Sequence, residues 1–367
     1  MTSANVVRDH IAAAIEAKAQ ALRQINQDIH SHPELAYEEG FAHDALSSFL
    51  EAEVWRVKPD FGSADNTDYM IVFCAEYDAL PGIGHGCGHN LITTASLAAS
   101  LGLAEAIRQL EIPARGRILG TPAEEGRGGK AKLIEAGAFT DPAILAAIMS
   151  HPIPQHCLLD GYQGIAGFPT IASHKLRVEY RGRGAHAAGD PWNGLNAIHG
   201  VIEDGGTVAN VIPDYSRKNW YIRSPTIERA DKLLARAKDC FQASALATGC
   251  EINYIHAPTY MNMELSETFC DIYTREMGSL GRKVLEQQET PATISTDMGN
   301  LSHVVPSFHG VFGIQTPPGI PGHSAEFAKC AAVDEAHAEA ILSASAMAML
   351  GWNILESKTV KVLSNDV

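Results

Sequence analysis

The sequence predicts an α/β protein, a mostly parallel sheet flanked by helices with a small antiparallel α+β module inserted in it. Three observations predict this. Through residues 1–173, short apolar runs of strand length alternate with stretches of helical periodicity, the order that builds parallel sheets. From residue 174 the runs alternate apolar and polar with period two, as half-exposed antiparallel strands do. After residue 262 the strand–helix alternation returns. The expected organisation is therefore a larger domain from 1–173 and 262–367, interrupted by a smaller one at 174–261.

Taken in order, residues 6–30 read as one helix, ended by 32-HPEL-35. A second helix follows at 36–51. The run 69-YMIVFCAEYD-78 is a buried strand, and 82-GIGHGCGHNLI-92 is a glycine hairpin opening a helix over 89–110. That helix is apolar on most sides, so it belongs inside. Next come strand into loop at 116–125, helix at 129–137 and strand at 144–152. The inserted module shows strands at 175–182, 217–224 and 251–258, with an amphipathic helix at 227–248. Helices at 264–281 and 333–352 and a strand at 309–315 complete the chain.

Composition excludes several classes. The 367 residues, 46% hydrophobic and 19% charged, supply ample core for two domains. A formal charge of −15 argues against nucleic acid, which attracts basic surfaces. No unbroken apolar run reaches the ~18–20 residues of a membrane span, and the first twenty residues lack the apolar centre of a signal peptide. The expectation is a cytoplasmic protein without membrane or nucleic-acid partners. Seven cysteines, scattered and without a CxxC pair, suit neither a disulfide framework nor a zinc finger.

The chemistry concentrates in four places. Thiolate and imidazole are preferred ligands of zinc and related ions, and 87-CGH-89 puts one of each two residues apart. Gly84, Gly86 and Gly88 let the backbone turn tightly enough for both to converge. Alone, a Cys-x-His pair is weak. The second place is Glu124–Glu125, at the carboxyl end of a strand, where α/β proteins bind ligands. Read by itself it is equally a solvated face; read as a site, one carboxylate holds metal and the other handles protons. The third and fourth are His151, directly after an apolar strand, and His323 in a Pro/Gly-rich loop. Each alone is as readily structural.

Together with their surroundings these residues carry a resemblance. The segments 76-EYDALPGIGHGCGHNLI-92, 121-TPAEEGRGGKAKLIEAGAF-139, 150-SHP-152, 185-AHAAGDPWNGLNA-197, 207-TVANVIPDY-215, 295-STDMGNLSHVVPS-307 and 323-HSAEFA-328 run in order over nearly the whole chain. They resemble the aminoacylase and carboxypeptidase metallopeptidases, family twenty, in the amidohydrolase branch that includes auxin-conjugate hydrolases and β-alanyl-lysine dipeptidase-like proteins. The resemblance implies the di-metal exopeptidase fold, a mixed, mostly parallel sheet with an inserted lid and dimerisation domain, and two divalent ions in one centre. By motif, Cys87 is the bridging ligand, His89, Glu125, His151 and His323 are the others, and Glu124 is the general base. Asp78 either orients a ligand from behind or caps a turn. His186 matches the inserted domain's catalytic histidine, and Asn210 and Arg223 match positions that hold substrate. Glu76 stands where relatives often place aspartate and carries no ligand role in this reading.

The implied reaction is metal-dependent hydrolysis of an amide in a small N-acyl amino acid or dipeptide. The ligand set favours zinc, with manganese and cobalt also admitted. The alternatives are a family member that has lost turnover or one that forms the amide in a biosynthetic pathway. Two places are short against the family pattern: between Trp55 and Tyr69, and between Ala197 and Ile198, where relatives carry a helix of about 20 residues that packs the dimer-forming domain.

Overall fold

The computed structural model describes residues 3–53, 69–181, 185–186, 202–207 and 211–365. The chain divides into two compact units. Unit 1 comprises Met1–Pro169, Met263–Pro291 and Asn300–Val367, and unit 2 comprises Thr170–Asn262 and Ala292–Gly299.

Unit 1 opens with helices α1 (Ala4–Ala17), α2 (Ala19–Ser31) and α3 (Gly40–Ala52). Strand β1 (Tyr69–Ala75), helix α4 (His89–Gln109), strand β2 (Ala114–Gly120), short helices α5 (Glu124–Arg127) and α6 (Gly129–Glu135), and strands β3 (Ile144–Pro154) and β4 (Gly164–Gly167) follow. Unit 2 holds β5 (Ala172–Arg181), β6 (Ala185–His186), β7 (Ile202–Asp204), β8 (Val211–Ile212), β9 (Tyr215–Ser224), α7 (Ile227–Thr248) and β10 (Glu251–Tyr260). The chain ends with α8 (Glu267–Ser279), β11 (Val284–Gln287), α9 (Met298–Ser302), β12 (Ser307–Ile314), α10 (Ala325–Cys330) and α11 (Asp334–Asn365).

The sheet of unit 1 runs β11-β4-β12-β3-β1-β2. All its pairings are parallel except β12 with β4. It is thus mixed and mostly parallel, as expected. Its central strands are mostly apolar, since helices cover both faces: Ile71, Val72, Phe73 and Cys74 of β1 and Ala146–Met149 of β3 are buried. Helix α4 is buried along almost its whole length, packed against α1, α2, α11 and the sheet. Gly102 lets α1 close on it, for a Cβ there would stand 2.9 Å from Ile11 Cγ2.

Unit 2 is built on the antiparallel sheet β10-β5-β9-β7. Leu176, Val178 and Tyr180 of β5 bury against Ala245, Leu234 and Phe241 of α7.

Three differences from the sequence reading are physical. The helix expected over 6–30 breaks at Lys18, whose backbone leaves the helical region (φ −112°, ψ 7°) while its Nζ pairs with Glu53 at 2.6 Å. Strands β4 and β11, four residues each, escape a periodicity argument: 164-GIAG-167 carries little β signal. Yet Gly164 is needed there, because a Cβ would meet Val311 O at 2.5 Å. Two helices, His89–Gln109 and Asp334–Lys358, are also long and apolar enough to cross a membrane by length and composition, contrary to the sequence reading. Of their apolar windows 83% and 67% lie buried inside unit 1, so packing accounts for the composition.

Candidate metal centre

The carboxyl ends of β1 and β3 and the loops beside them gather the site, all of it within unit 1. Gly88 occupies the left-handed region (φ 82°) immediately before α4, and this turn sets Cys87 and His89 side by side. His323, also left-handed (φ 57°), donates its backbone N–H to Gly86 O at 2.8 Å, tying the C-terminal loop to the glycine hairpin. Ala123 (φ 60°) is held by its N–H donating to the buried Glu39 carboxylate at 2.8 Å, which fixes the entry to Glu124 and Glu125.

The ligand-type atoms of Cys87, His89 and His151 all lie within 4.8 Å of one another. Those of Cys87, Glu125 and His323 form a second such group, so Cys87 belongs to both. A third group contains Glu76, His89 and Glu124. The hydrogen bonds around them orient lone pairs inward. His89 Nδ1–H donates to Asp78 Oδ1 at 3.0 Å and leaves Nε2 without a hydrogen-bond partner. His151 Nδ1–H donates to Pro152 O at 2.7 Å, and its Nε2 faces Cys87 Sγ at 3.3 Å. Asp78 Oδ2 also accepts the Glu125 backbone N–H at 2.9 Å. Asp78 thus stands behind two ligand-type residues, the pattern by which outer groups set ligand direction.

What remains is a set of ligand-type atoms facing one another. Glu125 Oε1 is buried without a hydrogen-bond partner, 3.8 Å from His89 Nε2 and 3.5 Å from His323 Nε2. Buried polar atoms are nearly always satisfied; here only the Cys87–His151 contact is a hydrogen bond, and the convergence of the other ligand-type atoms fits a cation. The donor types, one thiol, three imidazoles and carboxylates, suit a zinc-like ion.

Charge states show what a cation would have to change. Burial works against the charge of His89, but Cys87 and Asp78 outweigh it and hold the ring protonated until a metal displaces that proton. Burial pushes the Cys87 thiol well above its usual range, with Glu125 adding to the rise, so only a cation makes it a thiolate here. Burial, then the neighbouring His309 and His89, push His151 down to about 3, leaving a neutral ring with a lone pair to offer. Burial works against the charge of Asp78, but His89 outweighs it and holds the carboxyl below the usual range.

The structure therefore brings Cys87, His89, Glu124, Glu125, His151 and His323 together, with Asp78 behind them. Arg223 lies in unit 2, where its Nη1 donates to Thr293 O at 2.6 Å. Asn210 falls outside the described residues, and so does the side chain of His186, whose backbone ends strand β6. Both segments that look short in sequence fall outside them too. The sequence reading gave no role to Glu76, Lys130 or His309. All three are buried around the same face of the sheet. His309 shares that face because it is two residues from Val311, the partner of His151 in the β12–β3 register.

Comparison with known proteins decides the family. The model of peptidase family M20/M25/M40 matches residues 72–345. The chain belongs to this peptidase family. Membership makes it a hydrolase of amide bonds. It is 34% identical to the mouse Xaa-Arg dipeptidase over 396 aligned positions, covering 95% of this chain and 89% of the relative. The alignment is longer than the 367 residues here, so the relative carries stretches that this member lacks. The N-acetylcysteine deacetylase of Bacillus subtilis is 24% identical, covering 79% of this chain and 88% of the relative. A dinuclear metal-binding peptidase of the same organism shares the fold, with a TM-score of 0.67 at 22% identity over 93% of this chain and 99% of the other.

Proposed function

We propose that this family member hydrolyses the amide bond of a dipeptide or small N-acyl amino acid at a centre of two divalent ions, most simply zinc. The observation that carries the proposal is the pair of donor groups sharing Cys87, each with one buried atom that lacks a hydrogen-bonding partner, His89 Nε2 in the first and Glu125 Oε1 in the second. Cys87, His89 and His151 would hold one ion and Cys87, Glu125 and His323 the other. When bound, two dications polarise a scissile carbonyl and acidify water.

The chain's own residues do the rest. Glu124, 8% exposed at the start of α5, receives the proton of the attacking water and passes it to the leaving nitrogen. Asp78 keeps the His89 lone pair inward and Glu125 in place. Unit 2 supplies groups for the substrate, for which Asn210, Arg223 and His186 are the candidates, and forms a homodimer. Seven free cysteines support a reducing compartment, the cytoplasm.

Dipeptides ending in arginine are the first substrates to assay, since the mouse relative at 34% identity is named for them. The test is amino-acid release from a panel of Xaa-Arg dipeptides and N-acyl amino acids, with the chain chelated and then resupplied with zinc, manganese or cobalt. Chelation abolishes release and metal restores it. Glu124→Gln lowers kcat by at least about 100-fold with both ions retained. No release by the ion-loaded chain across the panel refutes the proposal.

A further inference from the structure

Beside the proposed ligands sits a side-chain pair that this reading leaves unused. Glu76 follows β1 and Lys130 lies in the first turn of α6; their exposures are 1% and 0%. Lys130 Nζ donates to Glu76 Oε1. A lone buried ammonium is costly, so the pairing accounts for one oxygen of Glu76. It leaves the other unexplained. Glu76 Oε2 is buried without a hydrogen-bond partner, 3.4 Å from His89 Nε2.

His89 Nδ1 faces Asp78, and Nε2 makes no hydrogen bond to Glu76 Oε2 across that gap; the two form an ion pair only when the ring carries a second proton. Two buried ligand-type atoms thus face each other without a hydrogen bond, and a cation between them would satisfy both. Glu76, His89 and Glu124 already form one of the groups with ligand atoms mutually within 4.8 Å.

We infer that Glu76 is a further protein ligand of the ion held at His89, and that Lys130 is the positioning residue that aims its carboxylate. The inference rests on the two-ion reading above. By occupying Oε1, Lys130 leaves Oε2 as a single, fixed donor. It also offsets one of the negative charges gathered there.

The test is a substitution that preserves net charge. Glu76→Gln/Lys130→Met removes one negative and one positive group, keeps both volumes close and strands no buried charge. The probe is zinc alone, at free concentrations set by a chelator buffer, read as ions per chain. Cobalt(II) absorption reports the coordination. The wild-type chain takes up two ions. The double variant keeps one and binds the other at least about 100-fold more weakly, beyond the loss expected for an outer partner, with an altered cobalt spectrum. Lys130→Met alone retains the carboxylate and keeps two ions, but with Oε1 released its cobalt spectrum shifts; an unchanged spectrum removes the positioning role of Lys130. Glu76→Gln is the second variant should the double one fail to fold; it keeps an acceptor for Lys130 and also loses one ion. Two ions of wild-type affinity and an unchanged cobalt spectrum in either Glu76 variant overturn the inference and reduce the pair to a structural one. That result leaves the two-ion reading intact, whereas a wild-type chain that takes up no ions removes both.

Discussion

Gly88 joins the two residues of the Cys-x-His pair, and replacing it by alanine tests how that geometry is made. Two costs are separable. The residue has φ 82°, a conformation that costs an L side chain about 1–2 kcal/mol. The new Cβ would also stand 2.6 Å from Pro152 Cγ, closer than real Cβ contacts come. Pro152 is a closed ring inside β3 and its carbonyl holds His151, so it has no rotamer by which to step aside. Relieving such an overlap in a packed interior costs typically 1–3 kcal/mol, which brings the expected destabilisation to about 2–5 kcal/mol. Gly82 supplies the control. It lies in the same hairpin at φ 76°, yet a Cβ there meets nothing within 4 Å. Gly82→Ala should therefore show the backbone cost alone, about 1–2 kcal/mol. Urea unfolding of the chelator-treated chain measures both without interference from bound ions. Equal losses for the two variants would refute the argument, because the Pro152 contact would then have no energetic consequence. Gly88→Ala should also weaken zinc uptake, since the shift displaces residues on both sides of the shared Cys87.

Other expectations follow from the same contacts. Asp78→Ala removes the acceptor of His89 Nδ1 and of the Glu125 N–H together, and should weaken zinc by about 10–100-fold; unchanged affinity would show that neither residue needs it. Acid should destabilise the metal-free chain. Burial, then the nearby His89 and His30, press His85 down to about 3 in the fold, against 6.5 when unfolded. Between those values the unfolded state carries the extra proton, so stability falls as pH drops below about 6.5. At pH 5 the loss is about 2 kcal/mol for this one histidine. His85→Gln should reduce the difference between urea unfolding at pH 7 and pH 5 by that amount, and an unreduced difference would count against the assignment.

Much of unit 1 is legible because its elements are repetitive. An apolar run of strand length, a glycine turn and an apolar helix are enough to place β1 and α4. What escapes is set by neighbours distant in sequence. Nothing local marks 164-GIAG-167 as a strand; β12 and β11 on either side make it one. The helix break at Lys18 likewise has no proline or glycine to mark it; Lys18 pairs with Glu53, 35 positions on. In the site, Cys87, His89, Glu124, Glu125, His151 and His323 stand out by residue type and by position at strand ends. Lys130 does not, because a lysine in a glycine-rich stretch looks solvated. Its burial is decided by Glu76, 54 positions earlier. Period-two spacing from Asp78 at a strand end was the available hint for Glu76. His309 carries no hint at all, since it sits in an apolar strand like any interior residue.

Unit 1 is made of three separate stretches of chain, and its converging side chains run from residue 76 to residue 323. Synthesis therefore delivers the thiol and the first imidazoles long before their last companion. Unit 2, nearly all of it contiguous, leaves the ribosome in between. Under the two-ion proposal, a nascent chain lacks one of its ligands until the loop bearing His323 emerges.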